Sequence, residues 1–578
     1  MNVTGSAAAP GSETAISASA SASRPWLKSY PPKVPHTIDE TQIGTLVDFF
    51  RHGVTAYADR PAVESFGKQM TYAELGREAA KVTSWLQSLG IGKGDRVAIM
   101  LPNVMAYPPI LYGVLNAGAT VVNINPLYTP RELVQQMRDS GARLLFVLEN
   151  FAATVEAAEA DLKLDQIVIV KPGDLLGLKG SIINLVSRYV KKAVKPFTLA
   201  GAIPFRDVMS KGAQKPPTAI DVSPDDIAFL QYTGGTTGVA KGAMLLHRNV
   251  VANVMQCEAW MVPYFGERTD HVMVTALPLY HIFGLTACAL LMLRIGGCQL
   301  LITNPRDIPG FVKTLRARPF TLMCGVNTLY NALAHAPGIE DVDFSHLVFV
   351  ISGGMATQAS VAKKWQEVSG SPIIEGYGLS ETSPVVCVNR LDIKEFTGTI
   401  GYPVPSTDIS VRAPDNAVLP FGERGELCVK GPQVMAGYWQ KPEETAKART
   451  PDGFFRTGDV AVILPDGQVK IVDRMKDMIL ISGFNVYPNE VEDVIAMHPG
   501  VMESAVIGVP DGEGGELVAA YVVRKDPALT VDALRQFCRD NLTAYKVPKR
   551  IEFRDTLPKT NVGKVLRRAL KDEVASHR

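Results

Sequence analysis

From Tyr232 to Leu245 the chain reads Tyr-Thr-Gly-Gly-Thr-Thr-Gly-Val-Ala-Lys-Gly-Ala-Met-Leu, a run of four glycines, three threonines and one lysine behind an apolar stretch. Gly234, Gly235, Gly238 and Gly242 let the backbone turn its N–H groups inward as an anion nest. Thr233, Thr236, Thr237 and Lys241 add hydroxyl donors and a point charge. Polyphosphate is the natural guest of such a cradle. The Walker pattern Gly-x4-Gly-Lys-Ser/Thr does not fit, because Ala240 precedes the lysine and Gly242 follows it where a hydroxyl would hold magnesium.

Further motifs follow in order: Leu277-Pro-Leu-Tyr-His-Ile-Phe-Gly284, Gly376-Tyr-Gly-Leu-Ser-Glu-Thr382, Asp452-Gly-Phe-Phe-Arg-Thr-Gly-Asp459, Asp473-Arg-Met-Lys-Asp477 and Pro558-Lys-Thr-Asn-Val-Gly-Lys564. With the glycine-rich run they resemble the signatures of the adenylate-forming superfamily, which comprises acyl-CoA synthetases, luciferases and the adenylation domains of peptide synthetases. The resemblance runs from about Trp26 to Arg568 and is nearest to the bacterial long-chain fatty acid–CoA ligases. Ser380 stands where that family most often has threonine, which keeps the hydroxyl.

The resemblance implies a two-step reaction. A carboxylate resists thiols because it is anionic and its oxygen leaves poorly; transfer to the α-phosphate of ATP gives an acyl-adenylate whose leaving group is AMP. That step joins two anions, so its transition state needs cations and oriented donors. The family pattern assigns Glu381 to Mg2+, a hard cation that takes carboxylate and phosphate oxygens. It sets Tyr377 and the Gly353-Gly354 turn against adenine, with Gly378 and Ser380 in the same loop. Asp459 is assigned to the ribose hydroxyls and Arg474 to ribose or α-phosphate. His281 positions the acyl group, Lys564 contacts carboxylate and α-phosphate during adenylation, Lys476 is the hinge, and Gly483 leaves room for the pantetheine of CoA. Read singly, each of these is an ordinary core or surface residue; the motifs lift them.

The expected fold is α/β: a large N-terminal domain of doubly wound α/β subdomains plus a β-rich subdomain, at about 25–475, and a small mobile α+β C-terminal domain at 476–578. Residues 1–24, rich in Ala, Ser and Gly, read as a disordered tail without the basic start or apolar core of a secretory signal. Strands are expected at 96–101, 144–148, 228–232, 272–277 and 347–352, with functional loops at their ends, the usual ligand location in open α/β sheets. A hairpin is expected around Pro465-Asp-Gly467. Beyond Lys476 the pattern predicts a helix at 489–497, strands at 501–509 and 517–523, a helix at 531–542 and a strand at 550–553.

A chain of 578 residues with 46% apolar content is too long for one core. Its 59 basic and 58 acidic residues leave a formal charge of +1, so nucleic acid is not an expected partner. Seven cysteines without Cys-x2-Cys spacing point to neither a disulfide framework nor a zinc site, and to a reducing, cytoplasmic setting. The most apolar window, residues 282–293, falls short of the roughly 20 residues that span a bilayer.

Residues 182–195 carry Ile, Leu, Val and Tyr at helical spacing, with Arg188, Lys191, Lys192 and Lys195 on the other side. Such a face ordinarily docks on the protein's own core, and that is the reading adopted; peripheral contact with anionic lipid on the inner face of the plasma membrane is the alternative. The expected substrates are fatty acid, ATP and CoA. A medium-chain or aryl acid ligase and a fatty acyl-AMP ligase stand as alternatives, as does a homodimer, while a non-catalytic binding protein would not need Lys241, Glu381, Asp459, Arg474 and Lys564 together.

Overall fold

The computed structural model describes residues 24–233, 240–481, 484–511, 515–560 and 563–576. Two large mixed sheets carry most of the chain. The first contains, in spatial order, Gly437–Tyr438, Gly242–Leu246, Ile227–Tyr232, Thr120–Asn123, Arg96–Met100, Leu144–Leu148, Gln166–Val170 and Ile203–Pro204. Its centre is parallel, and Gly242–Leu246 closes antiparallel on Ile227–Tyr232. The second runs Tyr402–Pro403, Val385–Val388, Ile373–Gly378, Phe349–Ser352, Leu322–Gly325, Val272–Thr275, Cys298–Leu301, Pro61–Ser65 and Lys68–Thr71. Strands covered on both faces must be apolar throughout, and all five residues of Leu144–Leu148 are buried.

The anticipated strands are present within one or two residues of their expected ends. A four-stranded antiparallel sheet of Asp408–Arg412, Gly425–Lys430, Phe455–Ile463 and Val469–Arg474 forms the β-rich part. Its last two strands are the hairpin around Gly467, closed by the Leu464 N–H to Gln468 C=O bond at 2.8 Å.

The C-terminal part has its own core, built on Ile479, Val491, Ile495, Val506, Val518 and Leu534. Helices Pro488–Ala496 and Val531–Asn541 pack with strands Val501–Pro510, Glu516–Arg524 and Arg550–Arg554, in the order the sequence predicts. All seven cysteines are free and buried. Among the described residues, no helix is long and apolar enough to cross a membrane.

The amphipathic segment departs from expectation. It begins earlier, as helix Gly177–Leu185, and continues as a π-helical turn Val186–Val190. Most of its apolar residues face outward: Leu178 is 90% exposed, and Ile182, Leu185, Tyr189 and Val190 are all exposed. The inward side carries Ile183, which packs against the large core, with small and polar groups around it. Gly180 lies so close to Gly173 that a Cβ on it would sit 1.9 Å from the Gly173 carbonyl oxygen. Asn184 Oδ1 accepts from the Gly173 N–H at 2.7 Å, and Arg188 pairs at 2.9 Å with Glu149, which is buried. Docking of the apolar stripe on the core therefore holds only for Ile183; Ile182, Leu185, Tyr189 and Val190 face outward. The close glycine contact and the ion pair to the buried Glu149 fix the rotation of the helix, and neither is visible in its periodicity.

Candidate active site

The ends of both large sheets and the β-rich part line one cleft of about 2230 Å³. Strand Ile227–Tyr232 leads into the glycine-rich run and strand Gly242–Leu246 leaves it, with the Thr233 N–H donating to the Lys241 carbonyl at 3.0 Å across its base. Thr233 and Lys241 line the cleft. Gly234, Gly235, Thr236, Thr237, Gly238 and Gly483 lie outside the described residues.

Opposite, strand Ile373–Gly378 ends in the Tyr377 loop. Gly378 has to be glycine, since a Cβ would lie 2.0 Å from the Pro384 carbonyl oxygen. Gly354 takes φ +78°, and a Cβ on Gly353 would press at 3.0 Å on the Gly376 carbonyl and the Phe283 ring. Tyr377 donates its hydroxyl to Asp459 Oδ2 at 2.6 Å. Asp459 and Arg474 are paired across the hairpin and meet again through their side chains at 3.3 Å. The strand register thus places three sequence-predicted residues in one chain of contacts.

Glu381, on the turn Ser380–Thr382, is buried and accepts from the Tyr438 hydroxyl at 2.8 Å. Burial raises its pKa, more than the Tyr438 hydrogen bond lowers it. A desolvated carboxylate gains from a cation. Among the described residues no group of three or more His, Cys, Asp or Glu could hold a metal. This donor set fits Mg2+, which commonly takes one or two carboxylates with phosphate and water oxygens.

Lys564 reaches the cleft from the loop before helix Arg567–Ser576. Its N–H donates to Thr560 Oγ1 at 3.1 Å and its carbonyl accepts from the Thr560 N–H at 2.6 Å. Burial, with the positive charge of Arg474 next, pulls its pKa down to about 7. His281 is lowered to about 4 by burial and then by Lys564. Its Nδ1 accepts from the Phe283 N–H at 3.3 Å, so at neutral pH the ring is an uncharged acceptor, suited to positioning. Cys257, Trp260, Met261, Phe283, Val326 and Val388 give the cleft an apolar wall. Lys476 sits at the third position of a turn closed by the Asp477 N–H on the Arg474 carbonyl at 3.0 Å.

Four residues that sequence reasoning missed also belong here. Glu375, on the same buried strand as Tyr377, has its pKa pushed by burial up to about 8. Tyr438 and Glu444 reach Glu381 and Lys241 from a segment about 200 residues beyond the glycine-rich run. Arg567, three residues after Lys564, is half-buried among Glu492 at 2.7 Å, the buried Asp473 at 3.4 Å and Asp477 at 3.5 Å. It ties the Lys564 loop to the turn holding Lys476. Arg567→Ala strands those acids and is expected to cost about 3–5 kcal/mol. Urea unfolding followed in the C-terminal part measures it, and a loss under 1 kcal/mol would mean that the cluster is solvated.

Residues 50–439 match the AMP-binding enzyme family, and residues 490–564 match the AMP-binding enzyme C-terminal domain. The chain is 52% identical to the long-chain-fatty-acid–CoA ligase of Salmonella typhimurium, over 95% of this chain and 98% of that protein. With the Bacillus subtilis protein of the same name it shares 38%, over 95% and 98%. Among solved structures it is similar to ATP-bound MatB from Rhodopseudomonas palustris, with 30% identity, a TM-score of 0.78 and coverage of 91% of this chain and 98% of that one. It is also similar to an anthranilate CoA ligase in complex with anthranoyl-AMP, with 25% identity, a TM-score of 0.82 and coverage of 94% and 100%. Matching motifs, the sheet ends they occupy and these likenesses agree: the chain belongs to the AMP-binding enzyme family.

Proposed function

We propose that the protein is a long-chain fatty acid–CoA ligase, which converts fatty acid and ATP to acyl-AMP and pyrophosphate, then acyl-AMP and CoA to acyl-CoA and AMP. One observation carries it: Lys564, Arg474, Asp459 and Glu381 share a cleft with Lys241 and an apolar wall. The cations suit a polyphosphate, the wall suits an alkyl chain, and relatives bearing this activity in their names share up to 52% identity with the chain.

In the first step Lys241 and the glycine-rich run hold the β- and γ-phosphates. Bound Mg2+, held by Glu381, would supply charge neutralisation on the phosphate oxygens. Tyr377 and the Gly353-Gly354 turn flank adenine, Asp459 accepts from the ribose hydroxyls, and His281 orients the acyl carboxylate. Lys564 and Arg474 face the α-phosphate, where negative charge builds as the carboxylate oxygen attacks and pyrophosphate departs. Thioester formation then needs room for a thiol, and Lys476 is the point about which the C-terminal part turns to bring Gly483 to the pantetheine. A chain-length series with ATP and CoA, read as AMP release, tests the substrate. Higher kcat/KM for an aryl or eight-carbon acid than for a sixteen-carbon one would overturn the long-chain assignment.

We also infer peripheral contact with anionic lipid through residues 177–195. Leu178, Ile182, Leu185, Tyr189 and Val190 project from a helix whose polar side is anchored inward, and Lys191, Lys192 and Lys195 are exposed beside them. Apolar side chains that enter an interface next to lysines match a surface of acyl chains and anionic headgroups. Flotation with phosphatidylglycerol-rich vesicles is expected to carry the protein up, and raised salt to weaken it. Replacing Lys191 and Lys192 by Gln lowers partitioning about fivefold per lysine, and Leu178→Ser with Ile182→Ser removes the salt-resistant part. Absence of flotation at low salt overturns the inference.

A further inference from the structure

Lys241 is not alone in the cleft. Its Nζ is in ion pair with Glu444 Oε2, and the other oxygen of that carboxylate meets Lys447 at 3.3 Å. The Lys241 ammonium also lies 5.1 Å from the centre of the Tyr438 ring, whose hydroxyl is the donor to Glu381. A single segment, strand Gly437–Tyr438 and helix Pro442–Lys447, therefore engages both the phosphate lysine and the proposed magnesium carboxylate. All five side chains, Lys241, Glu381, Tyr438, Glu444 and Lys447, line the cleft.

The pairing is built into the backbone. Gly437–Tyr438 adds as an antiparallel strand to Gly242–Leu246, directly after Lys241. The Trp439 N–H donates to the Gly242 carbonyl at 2.8 Å, and its indole N–H to the Asp139 carbonyl at 3.1 Å. Asp139 in turn meets Lys441 at 3.3 Å and accepts from Tyr232 at 2.6 Å. Both strands that flank the glycine-rich run are thus fastened to the segment carrying Glu444, which fixes that carboxylate opposite Lys241.

A carboxylate is an acceptor-only anion and offers an ammonium what a phosphate offers, with less charge. We propose that Glu444 is a positioning residue that competes with polyphosphate for Lys241, so that ATP takes the lysine from it on binding and departing pyrophosphate returns it. The inference rests on the reading of Lys241 as a phosphate ligand. It makes the lysine's affinity for phosphate a difference between two partners, which eases pyrophosphate release. A carboxylate that merely oriented Lys241 would act in the opposite sense, because its loss would leave the lysine wandering.

The test is titration calorimetry with magnesium pyrophosphate at fixed ionic strength. Glu444→Gln is expected to bind it roughly three- to fivefold more tightly, the scale of releasing a partly exposed ion pair. Glu443→Gln makes the same charge change one residue away, outside the cleft lining, and leaves affinity unchanged. In a Lys241→Met background Glu444→Gln has no effect. Unchanged or weaker binding in Glu444→Gln overturns the proposal, as does equal tightening in Glu443→Gln, which would mark a diffuse charge effect. Should Lys241→Met alone leave pyrophosphate affinity intact, Lys241 is no phosphate ligand and the underlying reading falls instead.

Discussion

Lys564→Ala is expected to lower acid-dependent ATP–pyrophosphate exchange roughly 10²-fold or more, the scale of deleting a charge-stabilising group, while transfer from supplied acyl-adenylate to CoA persists. The ammonium enters the cleft on a loop held by Thr560 and anchored by Arg567, so its removal deletes charge from the proposed α-phosphate site without emptying a core. Its lowered pKa, about 7, adds a second signature. Only the protonated form stabilises the transition state, so kcat/KM for ATP, which reports the free enzyme, falls as pH rises through about 7. A bound polyanion favours the charged lysine, which moves the limb in kcat to higher pH. Lys564→Arg keeps its charge at all these pH values and should lose the basic limb in kcat/KM whatever its absolute rate. Exchange near wild type in Lys564→Ala, or a basic limb that survives in Lys564→Arg, would remove Lys564 from this role.

What could be read from the sequence was what is local. The strands before the loops, the hairpin at Gly467 and the order of C-terminal elements follow from periodicity and turn residues over windows of about ten residues, and they fixed where Thr233, His281, Gly353 and Asp459 emerge. The contacts that complete the cleft are made at long range. Tyr438 meets Glu381 and Glu444 meets Lys241 only because a two-residue strand adds to a distant sheet edge, and no pattern within either segment foretells that pairing. Glu375 stands before a glycine motif with nothing in its neighbours to foretell the burial that raises its pKa. The amphipathic helix shows the limit most clearly. Its spacing defined two faces, but the choice of inward face was made by Gly173, Asn184 and Glu149.

A disulfide between Thr328→Cys and Gly563→Cys is expected to leave pyrophosphate exchange within a few-fold of the reduced enzyme while cutting acyl-CoA formation on the order of 10²-fold, since it would block the proposed turn of the C-terminal part about Lys476 before the second step. The site is suited to the bond. Thr328 donates to the Gly563 carbonyl at 3.4 Å, and a Cβ on Gly563 would lie 3.8 Å from Thr328 Cβ, at the mean separation of natural disulfides. Gly563 has φ +82°, so a cysteine there costs about 1–2 kcal/mol, which Gly563→Cys alone would reveal as lowered stability. The seven native cysteines are buried, which favours the engineered pair in oxidation. Because Gly563 adjoins Lys564, the bond clamps the C-terminal part with its lysine in the cleft. That arrangement serves attack on the α-phosphate but gives the thiol no new surroundings. Reduction should restore acyl-CoA formation in the same sample, which separates clamping from damage. Full thioester formation by the oxidised, mass-verified enzyme would show that one arrangement serves both half-reactions, and Lys476 would then be a turn residue with no hinge to serve.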